Sequence, residues 1–560
     1  MKTKLLQIWP IIAMIILSLT VGWQLLRKGY FPMHDDLQVM RFYQMRRCFD
    51  DGQLPCRWSP NMGNEYGQPM FNYYSAFPYY LGTAFNLLGA SYINTVKIVF
   101  LLSLFFSALF AYLFARQFFS RPASLLASAA YLIAPYHALD IFVRGALAES
   151  WGLVFMPAMF YSITRVIKSP SIKTGLILTL TTAGLLTTHN LTVLMVAPFL
   201  LIYTLLLFRL HEFTLPKLKY LVLGGLIGVG LSSFFLLPVL FEQNLTQGGK
   251  YLTADYFNFR AHFTTLRQLL LNTSWAYGPS KFGPDDDISF FVGFIQLFGL
   301  LASPFVLFRT FFKNKNVFTI TLFFVGLTFL ALFMTHGKSD PIWTIIPKLA
   351  FVQFPWRFLG LVIFGSAFLL GALLNQIKSS LQLPLLAIGI ISLVVLNFRY
   401  FSFEKWFYWI TDEQKLSGEL YNLQVRAAVL DYLPNSAQKI PETKALPDPQ
   451  IITGTAFINY FDRRTAYFAT EIDVKEPSSI AFPVTYFPNW TVYLNRATTP
   501  YPFSYDNDYG QITIDLPQGH HLVQAFFDNT PLRTLANTIT LISAVTLLTW
   551  VGVEYAKKTT

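Results

Sequence analysis

Long apolar segments recur along the whole chain, and they constrain its fold more than any other feature. A helix needs about 20 apolar residues to cross the hydrocarbon core of a bilayer. Only 13% of the 560 residues are charged, against about 25% in soluble domains. A water-soluble globule, a disordered chain and a nucleic-acid-binding arm are therefore excluded. Twelve spans are predicted, at residues 5–26, 92–115, 123–139, 146–164, 174–188, 190–208, 218–240, 289–308, 317–334, 356–375, 383–400 and 533–553.

The positions of lysine and arginine predict how these spans are oriented. Such residues collect on the cytoplasmic side of membrane proteins. With a cytoplasmic N-terminus, the alternate connections hold most of the basic residues, so the net charge of +12 needs no nucleic-acid partner. We expect a multi-pass protein of the cytoplasmic membrane with both termini in the cytoplasm. The basic residues of these connections are Arg116, Arg121, Arg165, Lys168, Lys173, Arg209, Lys217, Lys219, Arg309, Lys313, Lys315 and Lys378.

Acidic residues have the opposite distribution. Of the acidic side chains that precede residue 401, only Glu212 falls on the predicted cytoplasmic side. Ionisable groups at a membrane boundary are costly and usually functional. Any chemistry is therefore expected at the outer, extracytoplasmic face.

Three long outer segments divide the chain. Residues 1–400 are predicted to form a transmembrane domain with outer loops at 27–91 and 241–288. Residues 401–532 are predicted to form a small, mostly β extracytoplasmic domain, and 533–560 the last span with a cytoplasmic tail. Cys48 and Cys56, both in the first loop, are either bridged or free thiols. Within the outer domain we expect a helix at 419–433 and a small antiparallel sandwich with strands at 464–472, 478–485, 490–495, 510–516 and 520–527.

The first candidate site is His34-Asp35-Asp36, just past the first span. Two adjacent carboxylates repel each other, so one of them can have a raised pKa and act as a base, or both can hold a cation. The alternative interpretation is that Asp35 or Asp36 caps the helix that follows.

The second candidate site follows the third span and contains Asp140, Arg144 and Glu149. An arginine here can hold a phosphate with two parallel hydrogen bonds. The alternative is an arginine paired locally with Asp140 or Glu149. His189, in a tight outer turn, and Arg357, at the edge of a later span, are weaker candidates, and interfacial anchoring explains Arg357 equally well.

The order of these motifs resembles two known groups of membrane proteins. An outer loop with an acidic pair, followed by a second acidic motif, resembles the C-type (GT-C) membrane glycosyltransferases. Further segments resemble the membrane proteins labelled "6-pyruvoyl-tetrahydropterin synthase-related" and the YfhO-like proteins. The pterin label implies no pterin chemistry, since the eight histidines are scattered. The segments are His34-Asp35-Asp36, Arg57-Trp58-Ser59-Pro60-Asn61, Asp140 to Glu149, Thr188-His189-Asn190, Gln353 to Phe358, Asn489 to Asn495 and Leu516 to His520.

The resemblance implies a GT-C-like fold and transfer of a sugar, with inversion, from a polyprenyl-phosphate carrier. The acceptor would be a glycan, a lipid or a protein. Asp35 or Asp36, beside His34, would orient the acceptor hydroxyl or take its proton. Arg144, Arg357, His189 or a divalent cation, Mg²⁺ or Mn²⁺, would stabilise the phosphate charge. Asp140 and Glu149 would orient Arg144 or complete a metal site, although the second motif lacks an Asp-x-Asp pair.

Two other functions fit the same sequence. A transporter or flippase for a lipid-linked sugar would move the lipid without forming a glycosidic bond. A non-catalytic assembly subunit would depend on the 401–532 domain and not on Asp35, Asp140 or Arg144. The outward clustering of acidic residues favours the transferase over the transporter.

Overall fold

The computed structural model describes residues 2–283 and 285–559 and contains long helices and one β-sheet. The helices are α1 Lys2–Val21, α2 Gln38–Asp50, α3 Phe77–Leu87, α4 Tyr92–Ala115, α5 Arg121–Leu132, α6 Pro135–Ala138, α7 Leu147–Lys168, α8 Ile172–Thr188, α9 Asn190–Leu210, α10 Leu215–Phe241, α11 Gly248–Tyr251, α12 Leu266–Leu270, α13 Phe294–Leu301, α14 Ser303–Lys313, α15 Lys315–Thr335, α16 Asp340–Ile345, α17 Leu359–Asn375, α18 Ser379–Asn397, α19 Asp412–Lys415, α20 Gly418–Arg426 and α21 Pro531–Thr559. The strands are β1 Gln450–Arg463, β2 Tyr467–Thr485, β3 Trp490–Leu494, β4 Gln511–Leu516 and β5 Gly519–Phe527.

A polytopic α-helical architecture is confirmed. Within the described residues, eight helices are long and apolar enough to cross a membrane, or nine if one bent pair counts as a single span. The predicted spans at 5–26, 146–164 and 174–188 coincide with α1, α7 and α8, which are not among the eight. The predicted number of twelve therefore stays a prediction.

The second candidate motif begins within the bent pair of helical segments, Arg121–Leu132 and Pro135–Arg144. The predicted span 123–139 is interrupted before Pro135, and the two parts differ in direction by 43°. A proline disfavours helical conformation in the residue before it, here Ala134. The chain continues through α6 into a π-helical turn, Leu139–Arg144. Such turns occur frequently at functional sites. Gly145 ends the turn with a φ of 64°, a conformation that glycine adopts without strain.

The predicted antiparallel β domain is also confirmed. All five strands belong to one sheet, in the order β1-β2-β5-β3, with β4 also paired to β2. The two predicted strands 464–472 and 478–485 are the two halves of β2, and β1 was not predicted. The sequence pattern breaks at Pro477, which cannot donate to the ladder, but β2 accommodates it with extra residues that bulge opposite Thr453–Ala456 of β1.

The first outer loop and the β domain share one hydrophobic core. Trp58 is 1% exposed and lies among sheet residues. Its ring is 5.7 Å from the Trp490 ring and 5.3 Å from the Phe527 ring. In the same loop, Cys48 and Cys56 form a disulfide, one of the two alternatives left open by the sequence.

Candidate functional site

The two predicted motifs meet through their backbones. The amide of His34 donates to the carbonyl of Val143 at 3.1 Å, and the amide of Asp35 donates to the carbonyl of Arg144 at 2.9 Å. The Gln38 side chain adds a bond of 2.8 Å to the carbonyl of Gly145. The segment after the first span is therefore fixed against the end of the π-helical turn.

A buried charge cluster forms the base of the site. Arg144 donates through Nη1 to Asp140 and, at 2.8 Å, to Oε2 of Glu149. Nε of Arg357 lies 3.3 Å from the same Glu149 oxygen. Tyr136 donates to the other oxygen, Oε1, at 2.5 Å. The side chain of Asp140 is fully buried and that of Glu149 is 3% exposed, so each arginine offsets carboxylate charge that would otherwise be very costly to bury.

Both arginines keep N–H groups for a further ligand. Arg144 uses only Nη1 for its carboxylates, and its guanidinium lies 4.6 Å from the centre of the Trp356 ring. Arg357 uses Nη1 for the carbonyl of Val352 and the side chain of Gln353. Within the described part of the chain, Nη2 of each arginine has no hydrogen-bond partner. An anion that reached both arginines would therefore find donors that are already positioned.

Asp35 is held by one of its two oxygens. Oδ2 accepts from Arg41 at 2.6 Å, from Gln38 at 3.1 Å and from Tyr74 at 3.4 Å. Arg41 is itself buried, and its guanidinium lies 4.1 Å from the centre of the Tyr74 ring. Among the residues described, none donates to Oδ1 of Asp35, so this oxygen can accept a hydrogen bond from a ligand.

The neighbours of Asp35 have shifted pKa values. Burial raises the pKa of Asp36, opposed by Lys415, whose Nζ lies 2.8 Å from Oδ2. Burial lowers the pKa of His34, opposed by a hydrogen bond of 2.8 Å between Nε2 and the carbonyl of Tyr277. His34 is therefore neutral near pH 7. With Nε2 as the donor to that carbonyl, its Nδ1 remains an acceptor.

A cavity of about 490 Å³ joins most of the predicted site residues. Its wall contains cationic, acidic and aromatic side chains from both motifs and from the later span. The predicted residues that line it are His34, Asp35, Arg144, Glu149, His189 and Arg357, and its aromatic residues are Tyr73, Tyr74, Tyr256, Phe257, Phe351, Phe354, Trp356 and Tyr432. Asp140 lies behind the wall, and Asp36 does not line this cavity.

A second, larger cavity of about 860 Å³ adjoins the first. His34 and Asp35 line both cavities, whereas Asp36 and Lys415 line only the larger one. Residues 251–257 of the second outer loop and residues 420–442 of the outer domain complete its wall. All three predicted outer segments thus contribute to the site.

Several residues of the site were not identified from the sequence. Arg41 follows Asp35 by six positions, which is not one of the helical spacings that pair side chains, so the sequence did not mark this ion pair. Lys415 and Asp431 come from the outer domain, hundreds of residues away, where no local pattern marks them. Asp431 lines both cavities. The predicted helix at 419–433 is wrong in its second half, because α20 ends at Arg426 and the chain turns before Asp431.

The donor groups of the site do not fit a divalent cation. Among the described residues, no group of three or more His, Cys, Asp or Glu side chains is placed to hold a metal ion. Asp140 and Glu149 both contact Arg144, Asp35 contacts Arg41, and Asp36 contacts Lys415. No step of the proposed reaction is therefore assigned to the Mg²⁺ or Mn²⁺ that the resemblance implies.

The fold and the site define a class: a multi-pass α-helical membrane protein that has a charged cavity and a β domain. Residues 71–403 match the family described as "6-pyruvoyl-tetrahydropterin synthase related domain; membrane protein", and the chain belongs to this family. The predicted membership is thus confirmed.

Other similarities are more distant. An uncharacterized protein of Lactococcus lactis subsp. cremoris (strain MG1363) is 25% identical over 206 residues, which is 35% of this chain and 33% of the relative. The arabinofuranosyltransferase AftD from Mycobacteria is 12% identical, with a TM-score of 0.42 over 72% of this chain and 27% of that one. The Archaeoglobus fulgidus oligosaccharyltransferase is 11% identical, with a TM-score of 0.42 over 71% of this chain and 56% of that one. The chain thus spans only about a third of the curated relative's length.

Proposed function

We propose that the protein is a membrane glycosyltransferase. In this proposal it moves a sugar, with inversion, from a polyprenyl-phosphate carrier to a glycan, lipid or protein acceptor at the extracytoplasmic face. The observation that carries the proposal is that two cavities meet at Asp35, and that the smaller one is lined by arginine N–H groups that have no partner among the described residues. Two adjoining compartments suit a reaction between two substrates.

The smaller cavity suits the donor. Nη2 of Arg144 and of Arg357 would bind the phosphate, and both charges would stabilise it as it leaves. Fixed donors aimed at developing charge usually contribute most to catalysis. Trp356 and Phe354 provide flat apolar surface for the sugar or the first isoprene unit. Asp140 and Glu149 would act through Arg144 as positioning residues, because they contact it directly.

The larger cavity suits the acceptor. Oδ1 of Asp35 would accept a hydrogen bond from the acceptor hydroxyl and so orient it towards the anomeric carbon. The acceptor oxygen forms a new bond to that carbon while the bond from carbon to phosphate oxygen breaks, and the electron pair stays on the phosphate. Asp36 and Lys415 would form the opposite wall, and His34 would supply a further hydrogen bond. His189 lines only the smaller cavity, where it would bind the donor phosphate.

The orientation predicted from the basic residues agrees with this assignment. Disulfides persist in oxidising compartments such as the periplasm or the cell exterior, and the first outer loop contains the Cys48–Cys56 bridge. We therefore place the site on the extracytoplasmic side of the cytoplasmic membrane, with both termini inside.

A reconstituted assay tests the function. The protein in lipid nanodiscs is mixed with radiolabelled polyprenyl-phosphate sugars and with membranes from host cells that lack it. We expect labelled product with wild-type protein and a loss of about 100-fold or more for Asp35→Asn. Asp448→Asn, the same change at an exposed residue of the outer domain, is the control and should keep full activity. Movement of labelled lipid across vesicles without a new glycosidic bond, or full transfer by Asp35→Asn, would contradict the proposal.

A further inference from the structure

The segment that carries Asp431 is fixed in position by the second outer loop. After α20 ends, Ala428 takes a φ of 59° and turns the chain. The amide of Gln247 then donates to the carbonyl of Leu433 at 2.8 Å. Gly248 packs against the backbone of Asp431 so closely that a side chain there would overlap the Asp431 carbonyl. Asp431 thus has a defined place on the wall between the two cavities.

The carboxylate of Asp431 differs from the other carboxylates of the site. Asp35 is paired with Arg41 at 2.6 Å, and Asp36 is paired with Lys415 at 2.8 Å. In the described part of the chain, no group donates a hydrogen bond to either oxygen of Asp431, and no ion pair includes it. An ion-paired carboxylate is a weaker base than an unpaired one, because the nearby cation favours its charged form.

We propose that Asp431 is a catalytic residue that accepts the proton of the acceptor hydroxyl. This inference rests on the proposed function and gives Asp35 the orienting role alone. As the acceptor oxygen bonds to the anomeric carbon, its proton moves to a carboxylate oxygen of Asp431. The phosphate leaves with the electron pair of the broken bond, and Asp431 later loses the proton to water. Atoms and charge balance without a metal ion or any further reactant.

The surroundings of Asp431 suit this role. Burial raises the pKa of Asp431 to about 6. The charge of Arg41 opposes this rise, and the charge of Asp35 adds to it by a smaller amount. A general base works best when its pKa is close to the working pH. Besides Asp35 and Arg41, the ionisable groups on the two walls fall into two sets. The shared and larger walls carry His34, Asp36, Tyr251, Asp255, Tyr256, Lys415, Arg426 and Glu442, and the smaller wall adds Tyr73, Tyr74, Arg144, Glu149, His189, Arg357 and Tyr432.

The pH dependence of transfer tests the inference. Below the pKa of Asp431 the carboxyl is protonated and cannot accept a proton, so we expect the wild-type rate to fall about tenfold per pH unit below pH 6. Asp431→Asn should lose this dependence and be about 100-fold or more slower at pH 8. Asp431→Glu should keep the dependence with a shifted midpoint. Asp448→Asn is the matched control and should behave as wild type.

The outcomes separate this inference from the proposed function. If wild-type protein transfers sugar and Asp431→Asn keeps the wild-type pH dependence, or stays within threefold of the wild-type rate, Asp431 is not the base. Asp431→Asn can be folded and still transfer sugar too slowly for its pH profile to be measured. In that case, a pH profile of Asp431→Glu with the wild-type midpoint shows that Asp431 is not the base. If wild-type protein transfers no sugar at any pH, the proposed function itself fails. Thermal unfolding of each variant checks that it is folded.

Discussion

Arg144 is the residue on which most of the buried charge of the site depends. It contacts two carboxylates, one fully buried and the other 3% exposed. Removing one partner of a buried ion pair leaves an uncompensated charge, which is far more costly than losing an exposed pair. The same side chain is proposed to bind phosphate, so stability and activity should both respond to its replacement.

Arg144→Met should lower the free energy of unfolding by about 3–5 kcal/mol, because Asp140 would stay buried without a cation. Chemical denaturation in detergent measures this loss. Arg260→Met is the control: Arg260 pairs with Asp340 at the surface, where the two side chains are 54% and 37% exposed. That change should cost about 1 kcal/mol or less. Equal losses in the two variants would contradict the buried network.

The contact between the first outer segment and the π-helical turn depends on Gly145. Its φ of 64° is costly for other residues, and a side chain there would overlap Met33. Met33 directly precedes His34 and Asp35, which bond to the backbone of Val143 and Arg144. A small group added at Gly145 would therefore separate the two motifs.

Gly145→Ala should reduce kcat/KM for transfer by about 100-fold, since a displacement near 1 Å can cost that much. Gly89→Ala is a matched control, because Gly89 also has a positive φ, of 99°, but nothing lies within 4 Å of an added side chain. Both variants have the backbone strain, and only the first displaces the site. A similar activity in both, measured in the nanodisc assay, would argue against this geometry.

At the scale of the whole molecule, three outer segments and the ends of several helices build one site. Loop 27–91 supplies Asp35, the second outer loop supplies residues 251–257, and the outer domain supplies Asp431. This assembly requires all three segments to be on the same side of the membrane. The side is therefore a property of the molecule that can be tested without any substrate.

Two matched threonine variants test the orientation. Thr443→Cys in the outer domain and Thr214→Cys between α9 and α10 are both exposed, and each is made in a protein with Cys48→Ser and Cys56→Ser. A membrane-impermeant maleimide should label the first in intact cells and the second only after permeabilisation. The reverse pattern would place the site in the cytoplasm.

The sequence predicted the parts of the site that local patterns encode. His34-Asp35 and the Asp140–Glu149 motif were recognisable because ionisable residues at the ends of apolar spans are rare. Charge asymmetry placed both motifs on one side, and the structure brings them into contact. Lys415 and Asp431 could not be predicted, because their contacts are between segments hundreds of residues apart. The length of β2 was also missed, because bulges in β2 itself keep it paired with β1 past a proline that the pattern treats as a break.

The burial of the Trp58 indole in the core of the sheet limits how the outer domain can be exchanged with that of another protein. A chimera that exchanged only residues 450–527 would leave that ring facing a foreign core, and a truncated chain without the sheet would expose it to water. Replacing a fully buried tryptophan leaves a large void, worth about 3–5 kcal/mol. A chimera that exchanges the outer domain should therefore also exchange residues 57–68 of the first outer loop, so that Trp58 and the sheet residues it contacts come from the same protein.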